Sequence, residues 1–349
     1  MPFNHSPLQY LSSTPLFLFE TQRTKKPKNL LANPTMSTRL VGDSWLKTHV
    51  LGKGAYGTVF LATNAYSQSH PHIAVKSAVI SYSSSLEKEK KLLSILDCYP
   101  YIIQCFGNQN TIEDGHKFYN LLLEYAPGGS LLDLIKNSDG GKLQESSIQS
   151  YTRMILKGLS HIHEKGYVHC DLKPENILVF PSRWGTKLKI ADFGLSKKAG
   201  KRRMYKNNGK PRYRGTPIYS SPESYLDGLH EAALDIYSLG CIIIVMFTGK
   251  PAWNIKNMHD LTEKMVFTYG PEIPRGMSVN GTDFLKKCLV RDHKKRWTAK
   301  MLLNHPFMVE DCKPSLSSFT FSHCISEGQY SDWSKLMDNM FEEAEKLKI

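Results

Sequence analysis

One segment restricts this chain more than any other: His169-Cys170-Asp171-Leu172-Lys173-Pro174-Glu175-Asn176-Ile177-Leu178-Val179. It places a carboxylate, an ammonium and a side-chain amide at fixed spacing, between an apolar helical run and a strand-like run. A carboxylate at Asp171 can accept a hydroxyl proton, Lys173 can neutralise a phosphoryl group in transfer, and Asn176 can supply an oxygen to magnesium. Asp192-Phe193-Gly194 follows the strand-like Leu188-Lys189-Ile190, and a hard carboxylate at a strand end suits the same ion. The tripeptide alone is common by chance; its position after the first segment gives it weight.

Upstream, Gly52-Lys53-Gly54-Ala55-Tyr56-Gly57-Thr58-Val59 lies between strand-like runs at Val50-Leu51 and Val59-Phe60-Leu61. Glycines let backbone amides approach phosphate oxygens, although they also serve plain tight turns. A dinucleotide site would need a helix after the glycines, and a strand stands there instead. Ile73-Ala74-Val75-Lys76 is a third strand whose lysine can reach phosphates beneath such a hairpin. That lysine needs a carboxylate to hold it. Residues 86–96 carry Leu86, Leu92, Leu93 and Leu96 at helical spacing, with Glu89 on the flank of the apolar face and Glu87 as the alternative. Taken alone, this helix reads as an ordinary solvated Glu/Lys-rich one.

The front third is strand-rich, with a further strand at 118–125. After Gly128-Gly129 the pattern turns helical over 131–135, 148–163, 233–247 and 282–290. This is an α+β chain of two lobes. The 349 residues are enough for a large core, and 41% hydrophobic content excludes collagen-like or coiled-coil classes. A formal charge of +13 favours anionic partners without choosing among them. Stable nucleic-acid binding is not expected, because no zinc-finger, RRM or helix-turn-helix signature accompanies the charge. No apolar run reaches membrane-spanning length. The seven cysteines are scattered, without zinc spacing, and Cys241 and Cys288 lie in apolar runs as buried thiols. That usage suits a reducing compartment.

Gly215-Thr216-Pro217, Ser221-Pro222-Glu223, Asp235-Ile236-Tyr237-Ser238-Leu239-Gly240 and Arg296 complete an ordered set. The set resembles the eukaryotic protein kinases over residues 45–308. Leu86-Glu87-Lys88-Glu89-Lys90, Glu124-Tyr125-Ala126-Pro127-Gly128-Gly129-Ser130-Leu131, and Arg291 with Arg296-Trp297-Thr298-Ala299 resemble more closely the MEKK-type mitogen-activated protein kinase kinase kinases of plants. The resemblance implies a bilobal fold: an N-lobe of antiparallel sheet plus one helix over 45–125, and a helical C-lobe over 126–308. It implies ATP and Mg as cofactors, a Ser or Thr hydroxyl as acceptor, and a MAP kinase kinase as protein substrate. ATP would be held by Gly52, Lys53, Gly54, Ala55, Gly57, Val59, Ala74 and Lys76, by Asn176, and by the hinge from Glu124 to Ala126, with Leu123 behind it. Glu223 would pair with Arg296, and Asp235 would brace the loop that holds Asp171. A scaffold that binds ATP without catalysis is the competing reading; it would ordinarily lack one of Lys76, Glu89, Asp171, Lys173, Asn176 and Asp192. A monomer in the cytoplasm, the nucleus or both is expected.

Cys170 stands where the family usually has arginine, which removes a group that gathers a phosphate on the loop beyond Gly194. That loop runs from Lys197 to Arg214 with many cations and no acid. It reads as a solvated charge run, or as a docking surface for an acidic partner. Residues 1–40 read as a disordered leader. Residues 309–349 read as a linker and an amphipathic helix from about Asp332 to Leu347.

Overall fold

The first lobe is built on a sheet whose strands run from 3 to 10 residues. The computed structural model describes residues 39–41, 45–54, 57–64, 72–183, 185–200, 214–268 and 270–309. Strands β1 (Arg39–Val41), β2 (Trp45–Gly54), β3 (Gly57–Thr63), β4 (His72–Val79), β5 (Cys105–Glu113) and β6 (His116–Glu124) form one antiparallel sheet in the order β1-β2-β3-β4-β6-β5.

Its register separates two faces. Gly52, Val59, Lys76 and Leu121 are paired in one row across the sheet. Leu61, Ala74 and Leu123 form the next row on the same face, because side chains alternate with period two. The opposite face carries Ala62, Ile73, Val75 and Leu122, a buried cluster with Trp45 packed against it. Period two also assigns Glu124, paired with Ile73, to that second face.

Helix α1 (Ser84–Leu96) follows β4 and ends at Asp97, whose φ of 45° is left-handed. Its buried residues are Leu86, Glu89, Leu92, Leu93 and Leu96, so Glu89 occupies a place in the apolar stripe itself. After β6 the chain enters the second lobe. Gly128 N donates to Val179 O and Val179 N to Gly129 O, which zips the crossing segment to the strand that carries Val179. Helix α2 (Leu131–Lys136) then starts at a capping box made by Ser130 and Asp133.

The second lobe contains α3 (Glu145–Glu164), the short strand β7 (Tyr167–Val168), the hairpin β8 (Ile177–Ser182) and β9 (Gly185–Ile190), and β10 (Lys197–Lys198) paired with β7. Helices α4 (Pro222–Asp227), α5 (Ala232–Thr248), α6 (Met258–Phe267), α7 (Val279–Cys288) and α8 (Ala299–Leu303) complete it. Every residue of α5 from Leu234 to Met246 is buried, so the helix runs through the centre of the lobe without a polar side. Cys241 and Cys288 are free and buried there.

Two expectations need correction, and one strand has no counterpart in the sequence reading. Residues 39–41, read mostly as part of a disordered leader, form β1: three residues too short to show a period gain their hydrogen bonds from the edge of β2. Strand β5 has no sequence signal, because Gly107, Asn108, Gln109 and Asn110 break any alternation. Helix α7 begins at Val279, ahead of the expected 282, because the Ser278 hydroxyl accepts from Gly281 N and caps it. The rest of the leader, the Ser-rich linker and the C-terminal amphipathic helix lie outside the described residues. Among the described helices, none is long and apolar enough to cross a membrane.

Candidate active site

The glycine hairpin, β4 and α1 converge on Lys76. The three glycines are constrained differently. A Cβ at Gly52 would meet no atom within 4 Å, and one at Gly54 would only touch Gly57 O at 4.0 Å, so these two keep a surface open. Gly57 has a φ of +144°, and a Cβ there would lie 2.2 Å from Ser77 O on β4. Sheet packing alone demands glycine at that position. Lys53 is exposed at the end of β2, and Ala55 lies outside the described residues.

Lys76 Nζ is 2.8 Å from Glu89 Oε2 and 2.8 Å from Asp192 Oδ1. The Glu89 side chain is 0% exposed, and its other oxygen accepts from Phe193 N at 3.1 Å. Glu87 instead accepts the Ser83 hydroxyl at the start of α1. One cation and two carboxylates thus share a site that is closed on the Glu89 side and open at Asp192, whose side chain is 39% exposed. Burial works to lower the Lys76 pKa, but Glu89 and Asp192 together raise it above the ordinary lysine range. Burial works to raise Asp192, and the Lys76 ammonium beside it leaves it below its usual value. Burial lifts the Glu89 carboxyl above its usual range despite Lys76.

The loop after β7 brings in the second group. Cys170 has a φ of 69°, a left-handed conformation that costs about 1–3 kcal/mol in a residue with a side chain. Asp235, wholly buried on α5, holds it: its carboxylate accepts from His169 N at 2.9 Å and from Cys170 N at 3.0 Å, and meets His163 Nε2 at 2.9 Å. Beyond this pin, Asn176 Nδ2 donates to Asp171 O at 2.8 Å and lies 3.3 Å from Asp171 Oδ2. With its nitrogen so engaged, the Asn176 amide oxygen is the end that could meet a cation. Ala191 N donates to Asn176 O, which ties this loop to the residue before Asp192. The His169 ring stands edge-on to Phe193, with centroids 5.0 Å apart.

The chain returns to Asp171 through Gly215 and Thr216. Gly215 has a φ of +95°, and a Cβ there would fall 2.3 Å from Cys170 O. This close approach lets Thr216 Oγ1 donate to Asp171 Oδ1 at 2.7 Å and accept from Lys173 Nζ at 3.0 Å. Lys173 Nζ is also 3.4 Å from Asp171 Oδ2. Spacing within the sequence does not announce the meeting of Asp171 with Thr216, which lies 45 residues on.

Cys170 is 3% exposed and packs with Val168 and Leu234. Burial, with the Asp235 carboxylate beside it, pushes its thiol well above the usual range. The thiol donates to Val168 O at 3.6 Å. Of the basic run beyond Gly194, Lys197, Lys198 and Arg214 are described, and positions 201–213 are not. At the far end of the lobe, Arg296 and Glu223 form a two-point ion pair at 2.7 and 3.1 Å.

His230 is buried just before α5, and burial, then the charges of Lys197 and Arg214, hold its pKa at about 4, while Gly228 and Asp235 pull the other way. The unfolded chain therefore binds a proton near pH 6.5 that the folded chain refuses until about pH 4. Stability should fall as pH drops through that window, by an amount on the order of 2–3 kcal/mol. His230→Gln should flatten the fall in melting temperature between pH 7 and pH 4 relative to the parent; parallel curves would contradict this assignment.

A lysine braced by a buried glutamate and hard oxygen donors at Asn176 and Asp192 make a donor set that fits a magnesium-bound nucleoside triphosphate. The family model for the protein kinase domain matches residues 45–308, and the chain belongs to that family. Within it the chain falls among the plant MAP kinase kinase kinases. It is 41% identical to mitogen-activated protein kinase kinase kinase 20 of Arabidopsis thaliana over 76% of this chain and 79% of that protein. It is 37% identical to kinase 17 of the same series and organism, over 82% and 75%, and 37% identical to kinase 18, over 76% and 78%. The protein is a Ser/Thr protein kinase, and its family takes ATP as phosphate donor.

Proposed function

We propose that this kinase acts at the third tier of a phosphorylation cascade, transferring the γ-phosphate of ATP to a Ser or Thr hydroxyl of a MAP kinase kinase. The observation that carries the catalytic half is the contact of Lys76 with both Glu89 and Asp192, which assembles the phosphate side of the cleft in one piece. The partner half is supported by the relatives' names. A non-catalytic scaffold would be expected to have lost one of these groups, and none is lost.

Lys76, held by Glu89, positions the α- and β-phosphates. Gly52 and Gly54 leave room for oxygens beside the hairpin, and the Glu124–Ala126 backbone meets the base. Asp192 and Asn176 supply oxygens to magnesium, which when bound neutralises phosphate charge. Asp171 orients the acceptor hydroxyl and takes its proton as it attacks, while Lys173 screens the charge developing on the phosphoryl oxygens. Residence in the cytoplasm, the nucleus or both, as a monomer, belongs to the same proposal.

The test is radiolabelled transfer from Mg·ATP to a MAP kinase kinase and to a generic basic protein. Preference for the first by at least about tenfold in kcat/KM is the expected result. Equal labelling of the two would remove the cascade assignment and leave the kinase.

A further inference from the structure

Glu124 belongs to the hinge expected to meet the base, and the register turns its side chain to the face of the sheet opposite Lys76. There the carboxylate is a junction. It accepts from Lys189 Nζ at 2.6 Å, and from Gln104 N at 3.2 Å, while Glu124 N donates back to Gln104 O at 2.9 Å. Lys189 lies on β9 of the second lobe, with its cation 4.8 Å from the Phe180 ring centre across the β8–β9 hairpin. The two side chains are only 12% and 23% exposed, so solvent screens their attraction far less than at a surface pair. The neighbouring residue Ile190 exchanges backbone bonds with Tyr101 and Ile103, which brings the segment before β5 to the same strand.

Both ends of this pair lead straight into the cleft. Glu124 opens the backbone stretch to Ala126. Lys189 precedes Asp192 by three residues on the same strand exit. We infer that Lys189 is a positioning residue for the nucleotide: its ion pair with Glu124 fixes the spacing between the backbone that meets the base and the carboxylate that faces the phosphates. This rests on the reading of the cleft as the ATP site. Neither side chain touches the nucleotide. Loss of the pair loosens the seat of the base more than it alters the chemistry, which belongs to Asp171.

The experiment compares the parent with Lys189→Met, Lys189→Arg, Lys189→Glu and the exchanged pair Lys189→Glu/Glu124→Lys, in the full chain. Each is assayed for KM and kcat with Mg·ATP, and for the Kd of a fluorescent ADP. Lys189→Met should raise KM and Kd by about tenfold and change kcat by less than about threefold. Lys189→Arg, which keeps the charge, should stay near the parent. The exchanged pair should bind ADP more tightly than Lys189→Glu alone, because the attraction is restored with its sign reversed. KM and Kd within twofold of the parent for Lys189→Met, or an exchanged pair no better than Lys189→Glu, would overturn the inference. A parent that neither binds Mg·ATP nor transfers phosphate would instead overturn the proposed function, so the two failures are distinct.

Discussion

Asp171→Asn should lower kcat by about 10²–10⁴, the range that a positioned proton acceptor contributes. The substitution is nearly isosteric. Asn176 Nδ2 bonds chiefly to the backbone oxygen of residue 171, which the change leaves in place. The Thr216 hydroxyl can still donate to the remaining carbonyl oxygen at the Oδ1 position. Lys173 keeps Thr216 as a partner. Binding of Mg·ATP, measured with a fluorescent analogue, should therefore stay within about twofold. This split between kcat and affinity separates a base from a structural residue. An unchanged kcat would exclude Asp171 as the proton acceptor, and lost nucleotide binding would show that the variant acts through the shape of the loop.

The second large effect concerns stability. Arg296→Ala should destabilise the protein by about 3–5 kcal/mol, as expected when one partner of a buried ion pair is removed. The Arg296 side chain is 0% exposed and that of Glu223 is 9% exposed. The guanidinium also donates to Ala233 O, Val290 O and Arg291 O and lies 4.9 Å from the Tyr237 ring centre. Its loss removes a donor from a carboxylate and from three carbonyls in a dry region. A typical domain has about 5–15 kcal/mol in all, so the variant should melt many degrees lower. Removing Glu223 as well should recover part of the loss, because the stranded charge goes with it. Urea unfolding of the two singles and the double measures this. A double variant as unstable as the sum of its singles would show that the pair is not the cause.

The parts of the site legible in the sequence are those whose geometry is local. Lys76 can be read because it follows an apolar strand-like run beside a glycine hairpin, and Glu89 because helical phase sets it on the flank of a leucine face. Asp171, Lys173 and Asn176 fall within one short loop, so their spacing is already nearly their arrangement. The inner strands β2, β3, β4 and β6 are legible as short apolar runs between turns, whereas the two edge strands are not: β1 is too short, and β5 carries a glycine and amides without a period. Contacts across long stretches of chain leave no such trace. Lys189 meets Glu124 across 65 residues, and nothing near either marks the other. Glu124 was assigned to the nucleotide by its place at the hinge, yet strand parity hands its side chain to the other face. Asp235 is reached through family resemblance, whereas its partner His163, in the last turn of α3, has no such signal. Gly57 was grouped with its neighbours as a phosphate glycine, and only the nearness of Ser77 O reveals its separate duty.

The burial of α5 on every side bears on how this enzyme fails when heated. Asp235 belongs to that helix, and its carboxylate holds the backbone of His169 and Cys170 in place. The loop that carries Asp171 is therefore tied to the part of the lobe that opens last, rather than to an edge that frays. Its strained turn cannot relax by degrees while α5 stands. Warming should leave the chemistry of the loop intact until the whole lobe gives way at once, while the nucleotide hairpin, hung on a thin sheet, can loosen earlier.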